Sequence, residues 1–202
     1  MDRSADSGKG RLRSPRTKNP LMFAGATIVP DFSGVLEALK IENRGAMILL
    51  GRSAFFDRNV YLIEAEDVTS ARIPQGVFAG YFVCFFAMDA SKIQDELIYD
   101  LAQHMIRDRC VYFCTWGPDC ERVHDIIDEA VVGDSPPDSV VQGIMTTSHS
   151  DESLADALFY FFSCTVPDEQ FVTCRSALIL STSNEAENLT ILASGYLKYE
   201  GA

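Results

Sequence analysis

Residues Tyr81 to Met88 read YFVCFFAM, an unbroken apolar run rich in aromatic side chains. A strand with one wet face alternates apolar and polar residues, whereas a strand covered on both faces has no need to. The run is too short to span a bilayer, and its β-branched and aromatic content favours extended backbone. It therefore specifies a strand buried on both sides, and such strands belong to sheets held between layers of helix. Val111 to Thr115 (VYFCT), Val140 to Thr147 (VVQGIMTT) and Ser176 to Ser181 (SALILS) repeat the pattern, with Val60 to Glu64 as a shorter candidate ahead of them.

Helical stripes lie between these runs. Leu97, Ile98, Leu101, Met105 and Ile106 form one; Val123, Ile126, Ile127 and Ala130 form the next. Leu154, Ala157, Leu158, Phe161 and Phe162 form a third, strongly apolar one, which Pro167 ends. Ser91-x-x-Gln94 and Thr182-x-x-Glu185 have capping-box spacing and predict helices opening there, the last running to about Tyr199. Gly117-Pro118 suits a helix start, and Gly133 to Asp138 (GDSPPD) is a break. Strands alternating with helices predict an α/β fold: a three-layer, mostly parallel, Rossmann-like or flavodoxin-like sheet with helices on both faces.

This α/β domain is expected over residues 60–202. Residues 20–59 read as an N-terminal extension packed on the sheet edge, with a short helix at Phe32 to Ile41, either a strand or a continuation of that helix at Ala46 to Leu50, and a turn at Phe55 to Asn59. Residues 1–19 read as a disordered basic tail: Arg3, Lys9, Arg11, Arg13, Arg16 and Lys18 face only Asp2 and Asp6, with almost nothing apolar to bury. The whole chain of 202 residues has 29 acidic against 17 basic side chains, a net charge of −12, so the body is strongly acidic. That opposes binding to nucleic-acid phosphates and would steer a basic partner inward. No stretch approaches the roughly 18–20 apolar residues of a membrane span. None of the six cysteines forms C-x-x-C, as expected of reduced thiols in a cytoplasmic protein. No G-x-G-x-x-G, Walker or G-x-S-x-G motif occurs, so no cofactor is specified.

Ligands of open parallel sheets bind beyond the carboxyl ends of the strands. Here those ends carry Asp89 and Ser91; Thr115, Trp116, Asp119 and Cys120; Thr146, Thr147, Ser148, His149 and Asp151; and Ser181 to Ser183. Ser, Thr and Asp are also what helix starts require, and capping accounts for most of them. Trp116, Cys120 and His149 go beyond capping. Trp116, the single tryptophan, suits either stacking or a half-buried anchor. Cys120 falls in a first helical turn, where the helix dipole favours thiolate, although Asp119 and Glu121 oppose it. His149 suits a base or a ligand, or a structural place in its loop. A nucleophile, base and orienter would be Cys120, His149 and either Asp151 or Asp89, with Asp89, Thr115, Trp116 and Thr147 contacting a ligand. Cys120-x-x-x-His124 puts two metal-ligand types on one helix face, which His149 or Asp151 could complete, but two-ligand spacing is weak evidence and no metal is expected. Asp89, Asp119 and Asp151 oppose a phosphate at these helix starts. The aromatic residues Phe159 to Phe162 spread around their helix, as a face for a second copy or a protein partner would.

The stretches Val111 to Asp128 (VYFCTWGPDCERVHDIID) and Gly143 to Phe162 (GIMTTSHSDESLADALFYFF) resemble paired signatures of an uncharacterised bacterial family of small α/β proteins, a domain of unknown function. In that family one strand ends in a W-G-x-x-C-like turn, and a later one ends in M-T-T-W-H before an acidic turn and an aromatic helix. Trp116, Gly117 and Cys120 match the first; Met145, Thr146, Thr147, His149, Asp151 and Glu152 match the second; Ser148 stands where the pattern has an aromatic residue. The resemblance covers about residues 60–200. It implies the α/β fold and a shared site at Trp116, Cys120 and His149, and no activity. The expected function is a non-catalytic partner-binding or regulatory module. The alternative is a small-molecule enzyme using Cys120 and His149 as nucleophile and base in a crevice above the strands.

Overall fold

The computed structural model describes residues 45–71, 73–74, 76–133, 143–182 and 186–198. The basic tail, the Phe32 to Ile41 segment, the break after Gly133, Val140 to Gln142, and Ser183 to Glu185 lie outside them. The strands are β1 (Met47–Ser53), β2 (Asn59–Glu64), β3 (Phe82–Ala87), β4 (Cys110–Trp116), β5 (Met145–Ser148), β6 (Ser176–Ser181) and β7 (Leu197–Lys198). The helices are α1 (Asp95–Arg107), α2 (Cys120–Val132), α3 (Leu154–Cys164) and α4 (Ala186–Ser194).

All seven strands form one sheet in the order β5-β4-β3-β6-β2-β1-β7. The pairs β5–β4, β4–β3, β3–β6 and β6–β2 are parallel. The pairs β2–β1 and β1–β7 are antiparallel. The α/β class is as expected, but the sheet is mixed. The cause is at its edge: the turn through Asp57, at φ 55°, folds β1 back as a hairpin on β2. Residues 47–53 thus enter the sheet as a full strand.

β3 explains why the sheet is buried on both sides. All six of its residues are buried. Phe82, Cys84 and Phe86 face one core with the α1 and α2 stripes, including Ile98, Met105, Val123 and Ile127. Val83, Phe85 and Ala87 face a second core with the α3 and α4 stripes, including Leu158, Phe161, Leu189 and Ala193. The strand period of two sends alternate side chains to opposite faces, so a run apolar throughout feeds both cores.

Two helix boundaries depart from the sequence reading. Ser91 does not open α1; its hydroxyl and N–H both donate to the Asp89 carboxylate, and the helix starts after Gln94. At the far end, α4 stops at Ser194, and Leu197–Lys198 pairs with β1 instead of continuing the helix. The competing force is the unsatisfied edge of β1, which Ser53 and Arg52 present to this segment. α3 begins where expected, with the Ser153 hydroxyl accepting from the Asp156 N–H. It ends at Cys164, before Pro167.

Candidate functional site: the rim beyond β4 and β5

The two helices that follow β4 and β5 pack on opposite faces of the sheet, α2 against one core and α3 against the other. Their connecting turns therefore diverge and leave a crevice at the strand ends. A groove of about 390 Å³ occupies it, lined by Trp116, Gly117, Pro118, Asp119, Cys120, Glu121, Ser150 and Glu152. The strand pair β3–β6 diverges in the same way, with α1 and α4 on opposite faces.

Gly117 fixes one wall. Its φ is +113°, and a Cβ placed there would lie 2.3 Å from the Met88 carbonyl oxygen. The turn after β4 thus lies hard against the end of β3, joined to it by Met88 N–H to Trp116 O at 3.1 Å and Ala90 N–H to Pro118 O at 3.0 Å. Only glycine fits, which gives the W-G pair a physical reason. Asp119 follows in left-handed conformation, φ 64°, and its carboxylate pairs with Arg122 at 2.7 Å instead of capping α2.

Beneath the groove the strand ends are tied together. Thr115 on β4 donates its hydroxyl to the Cys120 carbonyl at 3.0 Å and approaches the Thr147 carbonyl at 3.3 Å. Its own carbonyl receives the His149 N–H at 3.0 Å. The Trp116 indole N–H donates to the Glu152 carbonyl at 3.0 Å, fastening the β4 end to the turn before α3. Trp116 is half-buried and packs on the α3 side, so it is an anchor that also lines the groove.

His149 is 4% exposed. Its Nδ1 lies 3.0 Å from a Glu152 carboxylate oxygen, and its Nε2 lies 3.2 Å from the Thr147 hydroxyl. The Thr147 hydroxyl in turn lies 3.4 Å from the Cys114 sulfur. The ring leans on Tyr160, centroids 4.7 Å apart, and the Tyr160 hydroxyl meets that of Tyr112 at 3.0 Å. Burial, followed by this Tyr160 contact, pushes the Tyr112 phenol well above its ordinary value. On the opposite face of β5, Thr146 meets His124 at 3.1 Å and the Asp128 carboxylate. His124 thus turns toward β5, and no hydrogen bond joins it to Cys120.

The sequence candidates therefore divide. Thr115, Trp116, Cys120, Thr147 and His149 gather in one hydrogen-bonded rim. Cys120 is fully buried, and burial pushes its thiol up; the main-chain N–H of His149 opposes that rise without outweighing it. The His149 N–H is held by the Thr115 carbonyl, and its imidazole turns to Glu152 and Thr147. Asp151 is exposed and bonds to neither Cys120 nor His149. The carboxylate on the imidazole belongs to Glu152, three residues after His149, where the turn brings it back over the ring. Adjacent acidic residues point apart at a helix start, and the sequence alone does not say which one returns. Asp89 sits at the end of β3, engaged with Ser91, and does not line the groove. In the Phe159 to Phe162 helix, Phe161 and Phe162 are core and Tyr160 holds Tyr112; Phe159 alone is largely exposed, at 53%. Among the described residues no helix is long and apolar enough to cross a membrane.

Sheet order and rim together define an α/β protein with an acidic crevice at the carboxyl ends of its parallel strands. The chain belongs to the family described as domain of unknown function DUF7684, whose model matches residues 63–196. No curated protein and no solved structure matches it.

Proposed function

We propose that this protein is a non-catalytic binding module that recognises a basic group, such as an arginine or lysine side chain of a protein partner, in the groove beyond β4 and β5. The observation that carries this reading is the lining itself: one indole and the carboxylates of Asp119, Glu121 and Glu152, with no basic side chain. A desolvated cation over an aromatic face and beside carboxylates gains on both counts. Arg122, outside the lining, neutralises Asp119, and the positive end of the α2 dipole offsets about half of one further carboxylate, so Glu121 and Glu152 keep the groove negative. The net charge of −12 adds long-range steering of a basic partner. The Rossmann-like reading belongs to this proposal and applies to the five parallel strands, where the connections diverge and open the crevice.

The chemistry of the rim favours binding over catalysis. The Cys120 thiol is buried and held protonated, and the imidazole of His149 has both nitrogens occupied. The Glu152–His149–Thr147 series reads as a brace that fixes one groove carboxylate.

The test uses the single tryptophan as reporter. The wild-type chain is titrated with a short oligoarginine peptide at low ionic strength. A saturable change in Trp116 emission is expected, reversed by salt and weakened several-fold in Glu121→Gln. No change, or an equal change with oligoglutamate, would refute the reading.

A further inference from the structure

At the opposite end of the sheet, where β2, β3 and β6 begin, lies a second cavity of about 480 Å³. Its lining includes Arg109 and Arg175, with Asn59, Thr173, Ser176 and Tyr81, and contains no carboxylate. In a chain with 29 acidic and 17 basic side chains, that is a reversal of the general charge. Among the described residues neither guanidinium has an ion pair or a side-chain hydrogen bond. Both line one cavity, where a single anion can accept from the two together.

The roots of both arginines are fixed. Arg109 stands in left-handed conformation, φ 75°, with its N–H on the Ile106 carbonyl and its own carbonyl taking the Phe82 N–H. The Arg175 carbonyl takes the Asn59 N–H at 2.9 Å, tying the start of β6 to that of β2. A third guanidinium stands beside this end of the sheet. Arg58 is 5% exposed, donates to the Thr165 hydroxyl and carbonyl at 3.1 and 2.9 Å, and lies over the Phe56 ring. It has no carboxylate partner, and its Nε has no acceptor. Burial holds its pKa down; the Cys174 thiol opposes that, and the nearby charge of Arg175 adds to it. This end of the molecule therefore gathers three guanidiniums, and the carboxylates beside them in the chain are engaged elsewhere, Asp57 by Arg52 and Lys198 and Asp108 by His104.

We propose that this cavity binds a small molecule bearing a phosphate monoester on an aromatic or apolar body. Two guanidinium forks, two hydroxyls and an amide are the donors that a tetrahedral dianion accepts. Tyr81 and Tyr61 supply apolar walls for the remainder, and the volume lies in the range of small-ligand pockets. The site lies at the opposite strand ends from the acidic groove and does not depend on it.

Phenyl phosphate is the probe, titrated into the full chain by calorimetry, with inorganic phosphate and benzoate as comparisons. Saturable one-to-one binding of phenyl phosphate is expected, tighter than that of either comparison. Arg109→Gln and Arg175→Gln are each expected to weaken it about tenfold. Both side chains are exposed, so both variants are expected to melt as the wild type does, which the same samples verify. The proposal is overturned by absence of binding at millimolar phenyl phosphate, by benzoate binding as tightly, or by unchanged affinity in both variants.

Discussion

Replacing Gly117 with alanine tests the geometry of the groove wall directly. The new Cβ would lie 2.3 Å from the Met88 carbonyl oxygen and 3.1 Å from its carbon, both main-chain atoms that no side-chain rotation can move. A non-glycine residue at φ +113° also carries a backbone penalty of roughly 1–3 kcal/mol. Relieving the clash pulls the turn from β3 and weakens the Met88–Trp116 and Ala90–Pro118 hydrogen bonds, each worth about 1 kcal/mol. The expected total is about 3 kcal/mol or more. At 2–4 °C per kcal/mol for a chain of this size, the melting temperature should fall by roughly 6–12 °C. Gly76→Ala is the matched control. Its φ is also positive, +72°, but nothing lies within 4 Å of its Cβ. It should cost about 1–2 kcal/mol, the left-handed penalty alone. Thermal melts by circular dichroism compare the two, and a shift of Trp116 emission in Gly117→Ala alone would report the displaced wall. Equal melting of the two variants would refute the close approach of the β4 turn to β3.

Of the six cysteines, Cys164 alone is exposed, so a thiol reagent should titrate one fast group in the native protein and six after denaturation. A second fast group assigned to Cys120 by peptide mapping would restore the nucleophile reading. Glu152→Ala leaves the buried Nδ1 of His149 without its carboxylate and should cost about 1–3 kcal/mol by chemical denaturation, more than Asp151→Ala, which breaks no bond. Burial raises the Cys84, Cys110 and Cys114 thiols, Cys114 to about 12 against an ordinary 9.0. Groups held neutral by the fold stabilise it fully below their unfolded value, so stability should be flat to about pH 9 and fall from there toward pH 12. Asp67 and Asp89 are held below 3.8, Asp67 by the Thr69 hydroxyl and Asp89 by that of Ser91. Their contribution is present above 3.8 and lost as pH falls through the lower folded values, giving an acid limb in the same profile.

Burial periodicity made the centre of the fold legible. YFVCFFAM read as a doubly buried strand because no half-wet strand tolerates it, and Phe82 to Ala87 divide between two cores as that requires. The edges were less legible. β1 and β7 join the sheet through backbone pairing, which leaves no residue pattern of its own in a two-strand edge, and Leu197 resembles the next apolar position of a helix as closely as it does a strand. Ser91 has the spacing of a cap, but Asp89 two residues earlier offers its hydroxyl a nearer acceptor. The rim was legible as a set of strand ends and not as a set of contacts. His149 and Glu152 are three apart in a turn, a spacing that permits their meeting without specifying it. The pairing of Trp116 with the Glu152 carbonyl depends on β4 and β5 being neighbours, which only the sheet order supplies.

We propose the crevice between the ends of β4 and β5 as the recognition surface. Amide and indole resonances of the isotope-labelled chain, followed while the oligoarginine peptide is added, test it most directly. The indole N–H of Trp116 and the amides of Gly117, Cys120, Glu121, Ser150 and Glu152 should move together along one saturating curve, while those of Asn59, Arg109 and Arg175 stay still. Movements centred instead on Phe159 and Tyr196, or spread evenly over the acidic surface, would contradict it.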